Sequence, residues 1–279
     1  MLKIQPLASG SQGNVTYIAS GTTQLLVDVG LTLPQLMVRL ETAKIDPFAI
    51  DGILITHEHN DHIRGVARFA KKFGTKVYIQ EKAKDCFLSA AKLTDYPNVI
   101  IFGKGYNSWE NDPPPLKIGD IQIDFFPLPH DSKFCFGYTF QNADCKIGLA
   151  TDLGAAPNHI LQKLAGSQIV LIEANHDLVR LQHNVRYSAW LKQRIASGTG
   201  HLSNIATGVA AYHLAQHGTA QIILAHLSKE NNSPALAYNV VKNFLEERGL
   251  KEGIDISIDV ATQDEIGQVY QVSGSGSIP

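Results

Sequence analysis

THEHNDH, Thr56–His62, follows directly on the apolar run GILI, Gly52–Ile55. Its seven residues hold three histidines, two carboxylates and an asparagine at the end of what reads as a buried strand. Loops at strand ends are where α/β proteins usually place chemistry. His57 and His59 are two apart, so on extended backbone they point the same way. Asp61 and His62 come as the chain turns into the next helix and reach a neighbouring point. Neutral imidazoles and ionised carboxylates are donors that suit Zn²⁺, Mn²⁺ or Fe. The plain alternative is a polar loop with Asp61 as a helix N-cap. It leaves clustered imidazoles without partners, which is costly, so the stretch is read as a metal site.

Outward from it, short strand-like runs precede the motif: LKIQPL, NVTYIA and QLLVDVG, separated by the turn clusters SGSQGN and SGTT. LPQLMVRLETA reads as a helix, DGILIT as a buried strand, DHIRGVARFAKKFG as a helix ending at Gly74 and KVYIQ as a strand. After NDPPPL, read as a rigid linker, LKI-GD-IQIDFFPL looks like a hairpin on a Gly-Asp turn. FCFGYTFQ and CKIGLATD form a second strand pair. Alternation returns with the strand QIVLIEA, the helix SNIATGVAAYHLAQHG, the strand AQIILAH and the helix SPALAYNVVKNFLEERG. A β-meander followed by β/α, twice over, predicts two similar halves, each a sheet with helices on one side. The expected organisation is one domain over residues 1–272 with a disordered tail, SGSGSIP, at 273–279.

The bulk numbers bound the function. The chain has 279 residues, 44% hydrophobic and 18% charged, with formal net charge -2, so it lacks the global basic signature of a nucleic-acid binder. The N-terminus has no long apolar core of a signal peptide, and no apolar run approaches the ~18 residues of a membrane helix. Three cysteines without CxxC spacing indicate neither a disulfide framework nor a zinc finger. A cytoplasmic protein with no membrane partner is expected; the oligomeric state is not legible.

HEHNDH resembles the HxHxDH signature of the metallo-β-lactamase superfamily. LLVDVG places Asp28 at the family's early Asp motif, PLPH places His130 at its third histidine, GLATDLG places Asp152 at its bridging carboxylate, and LAHLS places His226 at its last ligand. The resemblance implies a four-layer αβ/βα sandwich, an α+β or α/β fold. It implies two divalent ions, Zn²⁺ or Mn²⁺ with Fe admitted. His57, His59 and His130 would hold one and Asp61, His62 and His226 the other. Asp152 would bridge them with a water or hydroxide between, and Asp28 would orient a ligand rather than bind. His159, His183, His213 and His217 have no such match and are read as ordinary histidines.

EANHD, GHLSN and HLSKENN, with LASGSQGN near the start, look most like the YycJ/WalJ-type subfamily, bacterial cytosolic metallohydrolases associated with 5′→3′ exonuclease activity on DNA. RNase Z-type enzymes share a strand ending in Glu, a His-Ser/Thr element opening a helix, and a strand ending in His-x-Ser. Here those are Glu173, His201 with Ser203, and His226 with Ser228. The resemblance makes Asp61, His201 and Glu173 catalytic, His201 as general acid held by Glu173. From Leu178 to Lys229 there is no Asp or Glu, but there are Arg180, Arg186, Lys192, Arg194 and Lys229, a local basic region suited to phosphate. Arg180, Arg186 and Arg194 are therefore expected to bind substrate. So are Ser9, Ser11 and Asn14 of ASGSQGN, as a Gly-rich nest, and Asn204 of GHLSN. Phe134, in a loop after His130, is a candidate to stack a base. The expectation is a dinuclear phosphodiesterase acting on DNA. The alternatives are a glyoxalase II-like thioester hydrolase and a metal-holding regulatory protein with little turnover.

Overall fold

The computed structural model describes residues 1–104 and 114–274. The first half of the NDPPPL linker, 111–113, and residues 275–279 of the expected tail lie outside the described residues. The chain builds two seven-stranded sheets. The first contains β1 (Leu2–Ala8), β2 (Val15–Ala19), β3 (Gln24–Val27), β4 (Gly52–Leu54), β5 (Lys76–Gln80) and β6 (Val99–Phe102). The second contains β7 (Leu116–Ile118), β8 (Ile121–Pro127), β9 (Phe136–Asn142), β10 (Cys145–Ala150), β11 (Ile169–Glu173), β12 (Gln221–Ala225) and β13 (Ser257–Val260). The last strand, β14 (Tyr270–Val272), returns to the first sheet and pairs antiparallel with β1. The orders are β14-β1-β2-β3-β4-β5-β6 and β13-β12-β11-β10-β9-β8-β7.

Each sheet changes character at its middle. β1, β2 and β3 run antiparallel and β3 to β6 parallel. β7 to β10 run antiparallel and β10 to β13 parallel. Both halves thus follow the meander-then-β/α order that the pattern predicts, and the helices flank the two sheets as an αβ/βα sandwich. The parallel strands need both faces covered, and the side chains of β11 alternate accordingly. Ile169 and Leu171 join the core between the sheets, while Val170 and Ile172 face helices Asn158–Leu164, Asn204–Ala215 and Pro234–Glu246. Helices Leu33–Thr42, Val66–Phe73 and Lys84–Ala90 pack against the first sheet. Phe134 packs against the core between the sheets, which argues against a stacking role.

One predicted helix is two. The chain after the motif forms Asn60–Ile63 and then Val66–Phe73. Gly65 breaks them, because its N–H donates to Val29 O at 2.8 Å and a Cβ there would stand 2.2 Å from Leu31 O. Two short helices, Leu178–His183 and Ala189–Ile195, have no counterpart in the hydrophobic pattern. Among the described residues no helix is long and apolar enough to cross a membrane.

The topology gathers the chemistry at one edge. Asp28, Thr56, Asp152, Glu173 and His226 all sit at the C-terminal ends of parallel strands, where open α/β sheets bind ligands. Asp28, Asp152 and His226 leave their strands with φ of 61°, 62° and 55°. This left-handed region costs an L-residue on the order of 1–3 kcal/mol and persists only where surroundings over-determine it. Three such turns therefore aim three side chains back between the sheets.

Candidate metal centre

His57, His59 and His130 bring one nitrogen each within 4.8 Å of one another, and so do the ligand atoms of Asp61, His62 and His226. A third group, His57, His62 and Asp152, meets the same limit and connects the two triads. His130 Nε2 lies 3.4 Å from His59 Nδ1, and Asp61 Oδ2 lies 3.4 Å from His62 Nε2 and 3.6 Å from His226 Nε2. Asp152 spans them, with Oδ2 3.2 Å from His62 Nε2 and Oδ1 3.8 Å from His130 Nε2. The structure brings together all seven residues that the sequence nominated as ligands.

Four of the imidazoles are held from behind. The Asp28 carboxylate takes His62 Nδ1 at 2.7 Å. It also accepts from the Thr56 amide at 2.8 Å and hydroxyl at 2.7 Å. That hydroxyl is left to accept from His57 Nδ1 at 3.0 Å. His130 Nδ1 bonds to Gly200 O at 3.1 Å, and His226 Nδ1 to Glu173 Oε1 at 2.7 Å. Each therefore turns its Nε2 toward the centre, the arrangement that fixes tautomer and ring orientation in metal-bound histidine. At the centre, His57 Nε2, His226 Nε2 and Asp152 Oδ2 are buried and make no hydrogen bond. An unsatisfied buried polar atom costs about 1–3 kcal/mol. Three facing one another fit divalent cations, which nitrogen and oxygen donors hold well.

The electrostatics agree with that use. Burial pushes Asp61 up, but the His226 and His62 rings, 3.6 and 3.4 Å away, more than offset it and hold the carboxyl well below its usual range. Asp152 is likewise held low, the charges of His226 and His62 overcoming burial. Burial and the neighbouring His62 depress His57 strongly, so it is neutral. Burial alone would lower His226, but Asp152, the nearby Asp61 carboxylate and the hydrogen bond to Glu173 carry it up to about 10. His226 must then give up a proton to any metal.

Glu173 is fully buried and its carboxylate makes four hydrogen bonds. Oε1 takes His201 Nδ1 at 2.8 Å and His226 Nδ1 at 2.7 Å, and Oε2 accepts the Leu153 amide at 3.0 Å and the Leu202 amide at 2.9 Å. Those contacts overcome burial and hold it ionised, down at about 2. His201 is raised, Glu173 outweighing the cost of burial. Its ring also sits 3.9 Å from Asp152 Oδ1 and lines a cavity of about 190 Å³ with Ser11, Asp131, Asn175, Tyr187 and Arg194.

The substrate readings divide. Ser11 is exposed in that cavity and Arg194 lines it. Ser9 is corrected: it is buried, and its hydroxyl accepts the His226 amide at 2.8 Å. Asn14 is corrected too. It closes its own loop through Gly10 and approaches His62 Nε2 at 2.9 Å and Asp61 Oδ2 at 3.3 Å. The glycine-rich loop thus braces the ligands rather than forming an open nest. Asn204 is buried in a closed amide pair with Asn232, at 3.0 and 2.8 Å, away from the cavity. The acid-free stretch finds counter-charges elsewhere in the fold. Arg186 pairs with Glu230, Arg194 with Asp131 and Lys229 with Asp264, while Arg180 donates to Asn232 O at 3.0 Å. Asp131, Asn175 and Tyr187 line the cavity without having been nominated, and Ser228 of the His-x-Ser element lines it with them.

A profile of the metallo-beta-lactamase superfamily matches residues 8–131. The chain is 36% identical over 258 residues to the exodeoxyribonuclease WalJ of Streptococcus pneumoniae serotype 2, covering 92% of this chain and 93% of that one. It is 33% identical over 252 residues to the exodeoxyribonuclease YycJ of Bacillus anthracis, covering 90% and 92%. Among solved structures, the metallo-beta-lactamase fold protein YhfI of Bacillus subtilis superimposes with a TM-score of 0.70 at 17% identity, over 96% of this chain and 98% of that one. Human tRNase Z, short form, does so with 0.64 at 13%, over 95% and 98%. These last two are likenesses of fold alone. The chain belongs to the metallo-β-lactamase superfamily, as a member of the family that holds WalJ and YycJ.

Proposed function

We propose that the protein is a metal-dependent phosphodiesterase that removes nucleotides from the 5′ end of DNA in the cytoplasm. The observation that carries it is the pair of ligand triads joined by Asp152, with unsatisfied buried donor atoms facing inward. The names of the similar proteins supply the substrate class. His57, His59 and His130 would hold one divalent ion, and Asp61, His62 and His226 a second, with Asp152 placed to serve both. Zn²⁺ and Mn²⁺ suit the donors, and Fe is compatible. Two such ions supply an activated water and neutralise charge on the phosphate oxygens.

The chain's own residues do the rest. Asp28, Thr56, Gly200 and Glu173 hold the ligand imidazoles in register. His201, charged and aimed by Glu173 as a carboxylate orients histidine in a triad, gives its proton to the 3′ oxygen as the P–O3′ bond breaks. The balance is one water per bond, its hydroxide to phosphorus and one proton to the sugar oxygen through His201. Ser11 and Arg194 steady the phosphate in the cavity. Digestion of DNA carrying a label at either end, by protein loaded with Mn²⁺ or Zn²⁺, tests the reading. The expected result is early release of the 5′ label as mononucleotide. Release of the 3′ label first, or no cleavage by protein holding two metals, overturns it.

A further inference from the structure

A second acid-free stretch begins inside the metal motif. From His62 to Gln80 the chain has no Asp or Glu and five cations, Arg64, Arg68, Lys71, Lys72 and Lys76, in a protein of net charge -2. Helix Val66–Phe73 turns Val66, Phe69 and Ala70 into the core, while Arg64, Arg68, Lys71 and Lys72 are exposed. Residues three and four apart share a helix face, so these four form one stripe. The helix links the C-terminal end of β4, at the metal centre, to the start of β5 at the opposite edge of the sheet. The stripe therefore runs outward from the centre and starts two residues after His62. Lys76 lies beyond it and shares a separate cavity with Asp51 and Asp120.

Cations of the other acid-free stretch are spent inside the fold, Arg186, Arg194 and Lys229 each on a carboxylate. Among the described residues Arg64, Arg68, Lys71 and Lys72 face none. Their contacts are neutral: Lys71 Nζ reaches Lys92 O at 3.5 Å, Lys72 Nζ lies 5.2 Å from the Phe73 ring, and the Asn60 amide lies 3.2 Å from the Arg64 guanidinium. Arg39 of helix Leu33–Thr42 joins them. With Arg64, Gln12 and Gln35 it lines a cavity of about 810 Å³, and its guanidinium meets Gln263 O at 3.4 Å. Asp264 and Glu265 line that cavity too, Asp264 being paired with Lys229. The glycine-rich loop joins this cavity to the metal centre. Gln12 lines it, and the adjacent Ser11 lines the cavity beside His201. Gln263 fixes the loop, accepting the Gln12 amide at 2.9 Å and donating to Gly13 O at 2.8 Å. Unpaired cations in a row beside a phosphodiester-cleaving centre complement a polyanion.

We propose that Arg39, Arg64 and Arg68 bind phosphates of the DNA backbone where the uncut part of the substrate leaves the metal centre, with Lys71 and Lys72 continuing the track. The proposal rests on the nuclease reading above and adds the face along which the substrate lies. The eight residues of helix Val66–Phe73 rise about 12 Å. Each strand of a duplex carries one phosphate per ~3.4 Å of axis, so the helix spans about three. Contacts of this kind set the register of the substrate without reading its sequence.

The test measures, by fluorescence anisotropy, how the metal-loaded full chain binds a 5′-phosphorylated phosphorothioate DNA duplex between ~50 and ~200 mM salt. The triple variant Arg39→Gln, Arg64→Gln, Arg68→Gln is expected to flatten the slope of log affinity against log salt by about 3, since each phosphate contact contributes about 0.9. It should also raise KM on a cleavable duplex. The triple variant Arg39→Lys, Arg64→Lys, Arg68→Lys is expected to keep the wild-type slope, because counterion release follows charge. An unchanged slope in the glutamine variant overturns the proposal. So does an equal loss in both variants with a lowered Tm, which would make the arginines part of the fold. A slope that flattens as expected in a protein whose wild type leaves the cleavable duplex intact upholds the track and removes the nuclease reading.

Discussion

His201 carries the sharpest residue-scale prediction. It touches Glu173 at 2.8 Å, belongs to the group that includes Asp152 and His226, and still opens to the cavity with 23% of its side chain exposed. If it acts as the general acid, His201→Ala lowers kcat on DNA by about 10²–10⁴ while two metals remain by elemental analysis. The loss shrinks for bis-p-nitrophenyl phosphate, whose leaving group scarcely needs a proton. An equal loss on both substrates, or loss of metal, would make His201 a positioning residue or a ligand. The clustering of the candidate ligands with His201 was legible, His57, His59, Asp61 and His62 from their close spacing and His130, Asp152, His226 and His201 through the family resemblance. Ser9, Asn14 and Asn204 were not, because their partners, the His226 amide, the His62 ring and the Asn232 amide, are met only in the folded chain.

At the scale of elements, the site depends on backbone contacts that only glycine permits. The Asn14 amide donates to Asp61 O at 2.8 Å and the Gly30 amide to Asn14 O at 2.9 Å, so three segments meet backbone to backbone behind the second triad. A Cβ on Gly30 would stand 1.6 Å from Asp61 O and 2.6 Å from the Asn14 nitrogen. Neither neighbour is a flexible side chain that can yield. Gly30→Ala is therefore expected to displace Asp61 and cost a metal, read as about one ion per chain where the wild type takes two, with a Tm lower by several degrees. Two ions and an unchanged Tm would show that the loop gives way freely. The strands, the hairpin with Gly119 at φ 55° and most helices were readable from periodicity and turn residues. Helices Leu178–His183 and Ala189–Ile195 were not, because helices that bury one residue and none leave no hydrophobic period to find.

At the scale of the whole molecule, the apolar core ties both sheets together. Ile4, Ile18 and Leu26 of the first share a cluster with Ile123, Phe140, Leu171 and Ile223 of the second. We propose on that ground that residues 1–272 unfold as one unit. Far-ultraviolet dichroism and tryptophan fluorescence should then give one coincident thermal transition, and two separated transitions would divide the halves. The metal centre lies where the sheets meet, so its titration belongs to the stability of the whole. In chelated protein Glu173 sits at about 2, down from 4.5, because His201 and His226 outweigh its burial. A depressed carboxylate stabilises the fold fully above its unfolded value and loses that contribution as pH falls from 4.5 through about 2. His226 is raised from 6.5 to about 10, Asp152, Asp61 and Glu173 outweighing burial. A raised histidine stabilises fully below 6.5 and loses that contribution as pH climbs through about 10. The buried neutral His57 must charge as pH falls below 6.5, which also removes stability, so the Tm of the chelated protein is expected to peak near pH 6.5 and to decline on both sides. Metal binding deprotonates His226 at the outset, so the loaded protein should lose the alkaline decline, and loading near pH 7 should release protons that a weakly buffered solution records. An alkaline slope identical with and without metal would remove His226 from the ligand set.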